Sequence, residues 1–445
     1  MGYPKIVVTP PGPRALELLK RDEALISPSY ARFYPLVIES GRGCIIRDVD
    51  GNEFIDFNSG LAVLNVGHCH PRVVEAIREQ VEKFLHYSHT DFYYEQAIRL
   101  AEKLSDKVPG DFKKRFYYGN SGAEAVEAAI KLSRWHTRRQ KLIAFIGSFH
   151  GRTMGAVSLT ASKPVQRQYF SPLLPEVEHV PYPYCYRCPF KQTYPDCGLW
   201  CVDYIDEYLL HKYVPPDEVA AFIIEPIQGE GGYVVPPPDY FKRLKSLAEE
   251  YGILLVVDEI QSGMGRTGRW FAIEHWGVEP DVLCIAKAIA SGLPLGVTVA
   301  RAELMDWVPG SHASTFGGNP VSCAAANAVL DVMEEERLLE NAEKQGTYIL
   351  GRLEEMKESS EMIGDVRGKG LMIGVEFVKD KETREPAKKE VGEVIMRCFK
   401  RGLAIISCGV STIRIAPPLI ITRELVDSAL EILEKTIREV ERESP

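Results

Sequence analysis

No apolar stretch in the 445 residues approaches the roughly 20 that a membrane-spanning helix needs. The opening MGYPKIVVTPPGPR has no apolar core of the signal-peptide kind, and Ile6 stands where N-myristoylation after Met-Gly requires Ser or Thr. The expectation is a cytoplasmic protein without membrane partners. A basic block is also missing. The net charge of −9 is spread through mixed Lys/Glu segments, which disfavours nucleic acid and anionic surfaces and leaves small molecules as the expected partners. Gln and Asn are sparse beside plentiful Glu, Lys and Arg, a balance common in thermophile proteins. Internal repeats and low-complexity tracts are absent as well.

What is present is enough apolar sequence, 45%, for a large core divided into two or three structural units. An N-terminal arm runs to about residue 40. GCIIRDVDGNEFIDF then alternates apolar and polar residues around Asp50-Gly51, a hairpin pattern. From about residue 70 to 325, helical patterns alternate with the short apolar runs KLIAFIG, VAAFIIEP, GILLVVDE and DVLCIAK, which predicts an α/β fold with helices on both faces of a mostly parallel sheet. From about 330 a single charged amphipathic helix, VMEEERLLENAEKQGTYILGRLEEM, is expected. The strand pair GKGLMIGVEFV and a closing helix follow it. The expected division is 1–70 as arm and hairpin belonging to a small domain, 71–325 as the large domain, and 326–445 as the C-terminal small domain.

Chemistry concentrates at the predicted strand ends, where ligands of open parallel sheets lie. Lys287 ends the run opened by Asp281, and an amine buried there loses solvation, which lowers its pKa and frees its lone pair to attack an aldehyde. The run Ile253 to Val257 delivers Asp258 to the end of another strand. An amine for an aldehyde and an anion for a ring nitrogen are what a pyridine-ring cofactor needs. Ser121 and Glu124 form a capping box, and Gly122 would let backbone approach a phosphate; the same residues also suit a plain well-capped helix. Phe149 and His150 follow the next strand, where either ring could lie on a flat ligand or simply be structural. GMGRTG, residues 263–268, mimics a dinucleotide signature, but the segment after it, RWFAIEHWG, does not read as the required helix, so NAD is not expected. Cys185, Cys188, Cys197 and Cys201 fall in a Pro- and Tyr-rich insertion whose spacing permits a metal, disulfides or free thiols.

Taken together, NSGAEAVEAAIKLSR, FHGRT, EPIQGEGG, VVDEIQSGMGRTG, the Lys287 segment, STFGGNP and RIAPPL resemble the class III aminotransferases over nearly the whole chain, in order and rough spacing. The resemblance implies a fold type I enzyme using pyridoxal 5'-phosphate, with ornithine and 4-aminobutyrate aminotransferases closest in type. By it, Lys287 is the Schiff-base lysine and Asp258 binds the pyridine nitrogen. Gln261 reaches the ring hydroxyl, and His150 with neighbouring Phe149 lies against the ring. Ser121 and Gly122 hold the phosphate, and Thr315, supplied by a second subunit, completes that site and implies a homodimer. It also carries Glu225, Glu230 and Arg414 into the site. Arg414 could grip the α-carboxylate of glutamate or 2-oxoglutarate, with Glu230 neutralising it when the ω-amine donor is bound; a plain interdomain salt bridge is the alternative.

Ala31 and Leu61 stand where some ornithine aminotransferases place tyrosines. Thr90 and Asp91, in a loop expected near the partner's site, suit a second ammonium group, as in ornithine or lysine; equally, they could cap a helix starting near Phe92. The expected activity is transfer of the terminal amino group of ornithine or lysine to 2-oxoglutarate. The alternatives are 4-aminobutyrate as donor and, in a different reaction class, amino-acid racemisation with the same lysine and cofactor.

Overall fold

Seven strands form the central sheet of the computed structural model, which describes residues 2–443. Their order is Lys114–Gly119, Gly296–Arg301, Val282–Ile285, Leu254–Asp258, Val219–Ile224, Lys141–Phe145 and Val177–Val180. Every residue of Val219–Ile224 is buried. Alternate residues feed opposite cores: Phe222 and Ile224 join one apolar cluster, Ala221 and Ile223 the other, as the two-residue strand period requires. That explains why these strands read as continuous apolar runs instead of alternating ones.

One strand breaks the parallel pattern. Gly296–Arg301 runs antiparallel to both neighbours, Lys114–Gly119 and Val282–Ile285. The connection through residues 286–295 is too short for the crossover a parallel strand needs, so the chain turns back. Ser291 and Gly292 make that reversal at φ 45° and 109°. The helix Gly122–Thr137 lies across this region, with Ala125, Val126 and Ala129 sharing a cluster with Val282, Cys284 and Ala300.

The hairpin around Gly51 forms as predicted, Ile45–Asp48 against Glu53–Asp56, with Ile38–Arg42 at its edge and Leu403–Ala404 adding parallel to Glu53–Asp56. The C-terminal sheet is antiparallel throughout: Ile363–Lys369, Met372–Phe377, Thr412–Ile415 and Ile406–Cys408. The arm before residue 40, given no element above, contains the helix Pro13–Leu25, opened by Pro13.

The single helix expected from about 330 is two helices. Pro320–Glu335 begins earlier, where Asn319 Oδ1 accepts from the amides of Val321 and Ser322 ahead of Pro320 at the first position. Leu338–Ser359 follows a break at Arg337, whose φ of 55° no helix can contain.

Arg266, inside the dinucleotide-like motif, is fully buried. Its guanidinium donates to the carbonyls of Leu371 and Pro417, to Ser59 Oγ and to Asn65 Oδ1, joining the loop after the central sheet to N-terminal and C-terminal segments. No described helix is long and apolar enough to cross a membrane.

Candidate active site

Beyond the carboxyl ends of the parallel strands lies a cavity of about 330 Å³. Ser121, Gly122, Phe149, His150, Glu225, Glu230, Asp258, Gln261 and Lys287 line it together. Segments far apart in sequence converge there because each follows a strand of the same sheet.

Lys287 comes immediately after Val282–Ile285 and Ala286, at φ 49°, and opens a short 3-10 turn. Burial pushes its amine down to about 8, with the Arg414 charge lowering it further against the opposing pull of Asp258, Glu225 and Glu230. An amine so placed keeps a far larger neutral, nucleophilic fraction near physiological pH than an ordinary lysine does.

Asp258 closes the strand Leu254–Asp258 and is buried. Oδ2 lies 2.7 Å from His150 Nδ1, and Oδ1 accepts from the Ile260 amide at 3.0 Å. His150 is buried with its Nδ1 committed to Asp258, and it lines the cavity beside Phe149. Burial alone would favour the neutral imidazole, but the hydrogen bond and charge of Asp258 outweigh it and raise the pKa above the ordinary value. Phe149 is half-buried at the cavity, with the Arg152 guanidinium 5.4 Å from its ring centroid. Sequence reasoning passed over Arg152, although it stands inside FHGRT.

Glu225 binds two loops at once, accepting from the Phe149 amide at 2.9 Å and the Gly229 amide at 2.8 Å. Burial pushes its carboxyl up to about 7, eased by His150 and by these amides and increased by Asp258. It acts on the site through backbone, holding Phe149 and the loop that carries Glu230.

At the opposite wall, Ser121 caps the helix Gly122–Thr137 by accepting from the Glu124 amide. The capping box is displaced by one residue, since Glu124 returns its carboxylate to the Asn120 amide and not to Ser121. The amides of Gly122 and Ala123 remain at the positive end of the helix, as a phosphate site requires. A Cβ at Gly122 would come within 2.9 Å of Ile260 Cδ1, the mobile end of that side chain. The tighter approach is at Gly296, where a Cβ would fall 2.1 Å from the Ser121 carbonyl oxygen, so this glycine seats the helix opening on the sheet.

Glu230 and Arg414 meet as expected. Arg414 Nη2 is 3.0 Å from Glu230 Oε2, and the guanidinium also donates to the Ser407 carbonyl. The second carboxylate oxygen was not anticipated: Glu230 Oε1 accepts from Lys163 Nζ at 2.5 Å. Burial would raise the Glu230 pKa, yet the two cations lower it, so the group stays ionised.

Other expected residues lie outside this cavity. Thr90, Asp91 and Thr315 are exposed and grouped by a bond from Thr90 Oγ1 to the Ser314 carbonyl at 3.1 Å. The helix-capping alternative for Thr90 and Asp91 fails, because the helix begins at Glu95 with Tyr94 as its cap. Leu61 sits in a left-handed turn and is 46% exposed. Cys185, Cys188, Cys197 and Cys201 line one small cavity and carry no disulfide, and no metal-holding cluster occurs among the described residues.

The cavity fits a flat, phosphorylated ring on features of its own. Gln261 Oε1 and His150 Nε2 are buried without a hydrogen-bond partner in the protein, and the first amides of a helix have no intrahelical acceptor. Pyridoxal phosphate has the aldehyde, ring and phosphate for Lys287, Asp258 and the helix opening respectively.

A family model described as aminotransferase class-III matches residues 26–437. An alanine/serine racemase from Pyrococcus horikoshii is 47% identical, with 99% of this chain and 94% of that protein covered. A leucine/methionine racemase from Thermococcus litoralis is 44% identical, with 96% of each covered. The solved ornithine aminotransferase from Toxoplasma gondii ME49 superposes with a TM-score of 0.83 at 32% identity, covering 97% of this chain and 96% of that one.

Proposed function

Since the chain belongs to the class III aminotransferases, fold type I enzymes dependent on pyridoxal phosphate, we propose that it transfers the terminal amino group of ornithine or lysine to 2-oxoglutarate. One observation carries this reading: the buried Arg414 is held by Glu230, which lines the Lys287 cavity. An enzyme serving two unlike substrates must offer a carboxylate receptor in one half-reaction and hide it in the other, and a displaceable carboxylate on a guanidinium does both.

Bound pyridoxal phosphate supplies an aldehyde and an electron-withdrawing ring. On this reading Lys287 holds the aldehyde and moves the substrate proton, while Asp258, fixed by His150 and the Ile260 amide, keeps the ring nitrogen protonated. Gln261 Oε1 meets the ring hydroxyl, Phe149 covers a ring face, and Ser121 with Gly122 receives the phosphate. Thr315, exposed in its own chain, completes the phosphate site of a partner subunit in a homodimer. Thr90 and Asp91, tied to the same loop, present an acid and a hydroxyl to the non-reacting ammonium of a diamino acid across that interface. 4-Aminobutyrate has no such group and would gain nothing from Asp91.

Amino-acid racemisation is the second reading, favoured by the identity to the two racemases. The purified holoenzyme, given 2-oxoglutarate with ornithine, lysine, 4-aminobutyrate or single-enantiomer alanine or leucine and analysed by chiral chromatography, separates them. Glutamate formed from ornithine or lysine supports the proposal. Opposite-handed amino acid formed without acceptor, and no glutamate, overturns it.

A further inference from the structure

Glu230 is held from two sides, and only one of the two cations faces the substrate carboxylate in the reading above. Arg414 takes Oε2 at 3.0 Å and Lys163 takes Oε1 at 2.5 Å. Lys163 belongs to the segment after the helix Met154–Leu159, ahead of the 3-10 turn Pro164–Gln166. That segment is anchored. Gly147 and Ser148 exchange backbone hydrogen bonds with Ala161, and Arg167 donates to the carbonyls of Ser158 and Thr160. The ammonium is thus delivered from a fixed support, with its side chain 36% exposed and that of Glu230 19% exposed.

Resting on the transaminase reading, we propose that Lys163 is a positioning residue: it receives the Glu230 carboxylate when a substrate carboxylate displaces it from Arg414. The charge count requires such a group. Arg414, Lys163 and Glu230 together carry one net positive charge, which an incoming carboxylate brings to zero. Without Lys163 the pair alone is neutral, and the same carboxylate would leave an uncompensated anion in a largely buried place, which is strongly disfavoured. Lys163 therefore makes the site selective for acceptors that place a carboxylate on Arg414. The donor half-reaction, in which Glu230 stays on Arg414, depends on it far less.

The test compares wild-type holoenzyme with Lys163→Met, which keeps length and loses charge, and Lys163→Arg, which keeps the charge. Glutarate, a dicarboxylate that cannot react, is titrated calorimetrically, and kcat/KM is measured separately for 2-oxoglutarate and ornithine. Loss of a partly exposed charge-assisted contact should weaken glutarate binding and lower kcat/KM for 2-oxoglutarate by about tenfold. The value for ornithine should move much less, and Lys163→Arg should recover most of the loss. Equal losses for both substrates, or glutarate binding unchanged in Lys163→Met, would overturn the inference alone. If wild-type enzyme binds no glutarate and forms no glutamate, the transaminase reading fails and the inference falls with it.

Discussion

Asp258→Asn keeps the shape of the strand end and removes its charge. In the native chain the carboxylate pairs with His150 at 2.7 Å and accepts the Ile260 amide at 3.0 Å, so an asparagine oxygen can keep one contact but brings no anion. A unit charge about 4 Å from a protonated ring nitrogen is worth about 4 kcal/mol at an effective dielectric of about 20. Single preorganised electrostatic groups cost about 10²–10³ in rate when removed, so kcat should fall by about 10² or more, with weaker cofactor retention. A second readout separates this from general damage. His150 is raised above its ordinary pKa, so its pairing contributes stability that is present below the unfolded-state value of about 6.5 and lost as pH rises through the folded value. In the variant burial is opposed only by the weaker pull of Glu225, and it favours the neutral ring. The melting-temperature gap between native and variant chains should therefore be widest below about pH 6.5 and narrow above the native His150 pKa. Single-turnover rates and melts across pH measure both effects. An unchanged rate, or a gap independent of pH, refutes the reasoning.

Capture of pyridoxal phosphate by the apoenzyme should speed up as pH rises through about 8, where Lys287 becomes neutral, and Arg414→Met should move that midpoint upward by removing a repelling charge; stopped-flow absorbance tests this, and a flat profile contradicts it. Lys287→Ala should abolish turnover and retention of the cofactor through dialysis, and normal activity would exclude this lysine. Asp91→Ala should raise KM for ornithine and lysine by about 10- to 150-fold, the worth of a lost charge-assisted hydrogen bond, while leaving 2-oxoglutarate nearly alone. A uniform effect on all substrates would shift support to 4-aminobutyrate.

The central sheet was legible because strands buried on both faces leave continuous apolar runs, each here closing on a polar residue or small-residue loop. Asp258 and Lys287 could be placed from those runs alone. Glu230 lies in a turn beyond the central sheet and Arg414 in a strand of the C-terminal sheet, and their pairing followed from a resemblance, since no local pattern links residues 184 positions apart. Lys163 left no signal: a lysine beside a proline in a loop becomes informative only when the fold sets it against a buried carboxylate. The helix break at Arg337 was hidden by apolar spacing that continues through it, although Asn319-Pro320 offered a start signal that went unused.

Arg266 has no carboxylate among its hydrogen-bond partners. Four neutral oxygens drawn from positions 59, 65, 371 and 417 share its charge, and burial lowers its pKa to about 10. Partial undocking would strand a cation with too few acceptors in an apolar interior, so intermediate states in which only one flanking segment has come away are penalised. The chain should therefore unfold across this junction in a single cooperative step, without one unit melting ahead of the other.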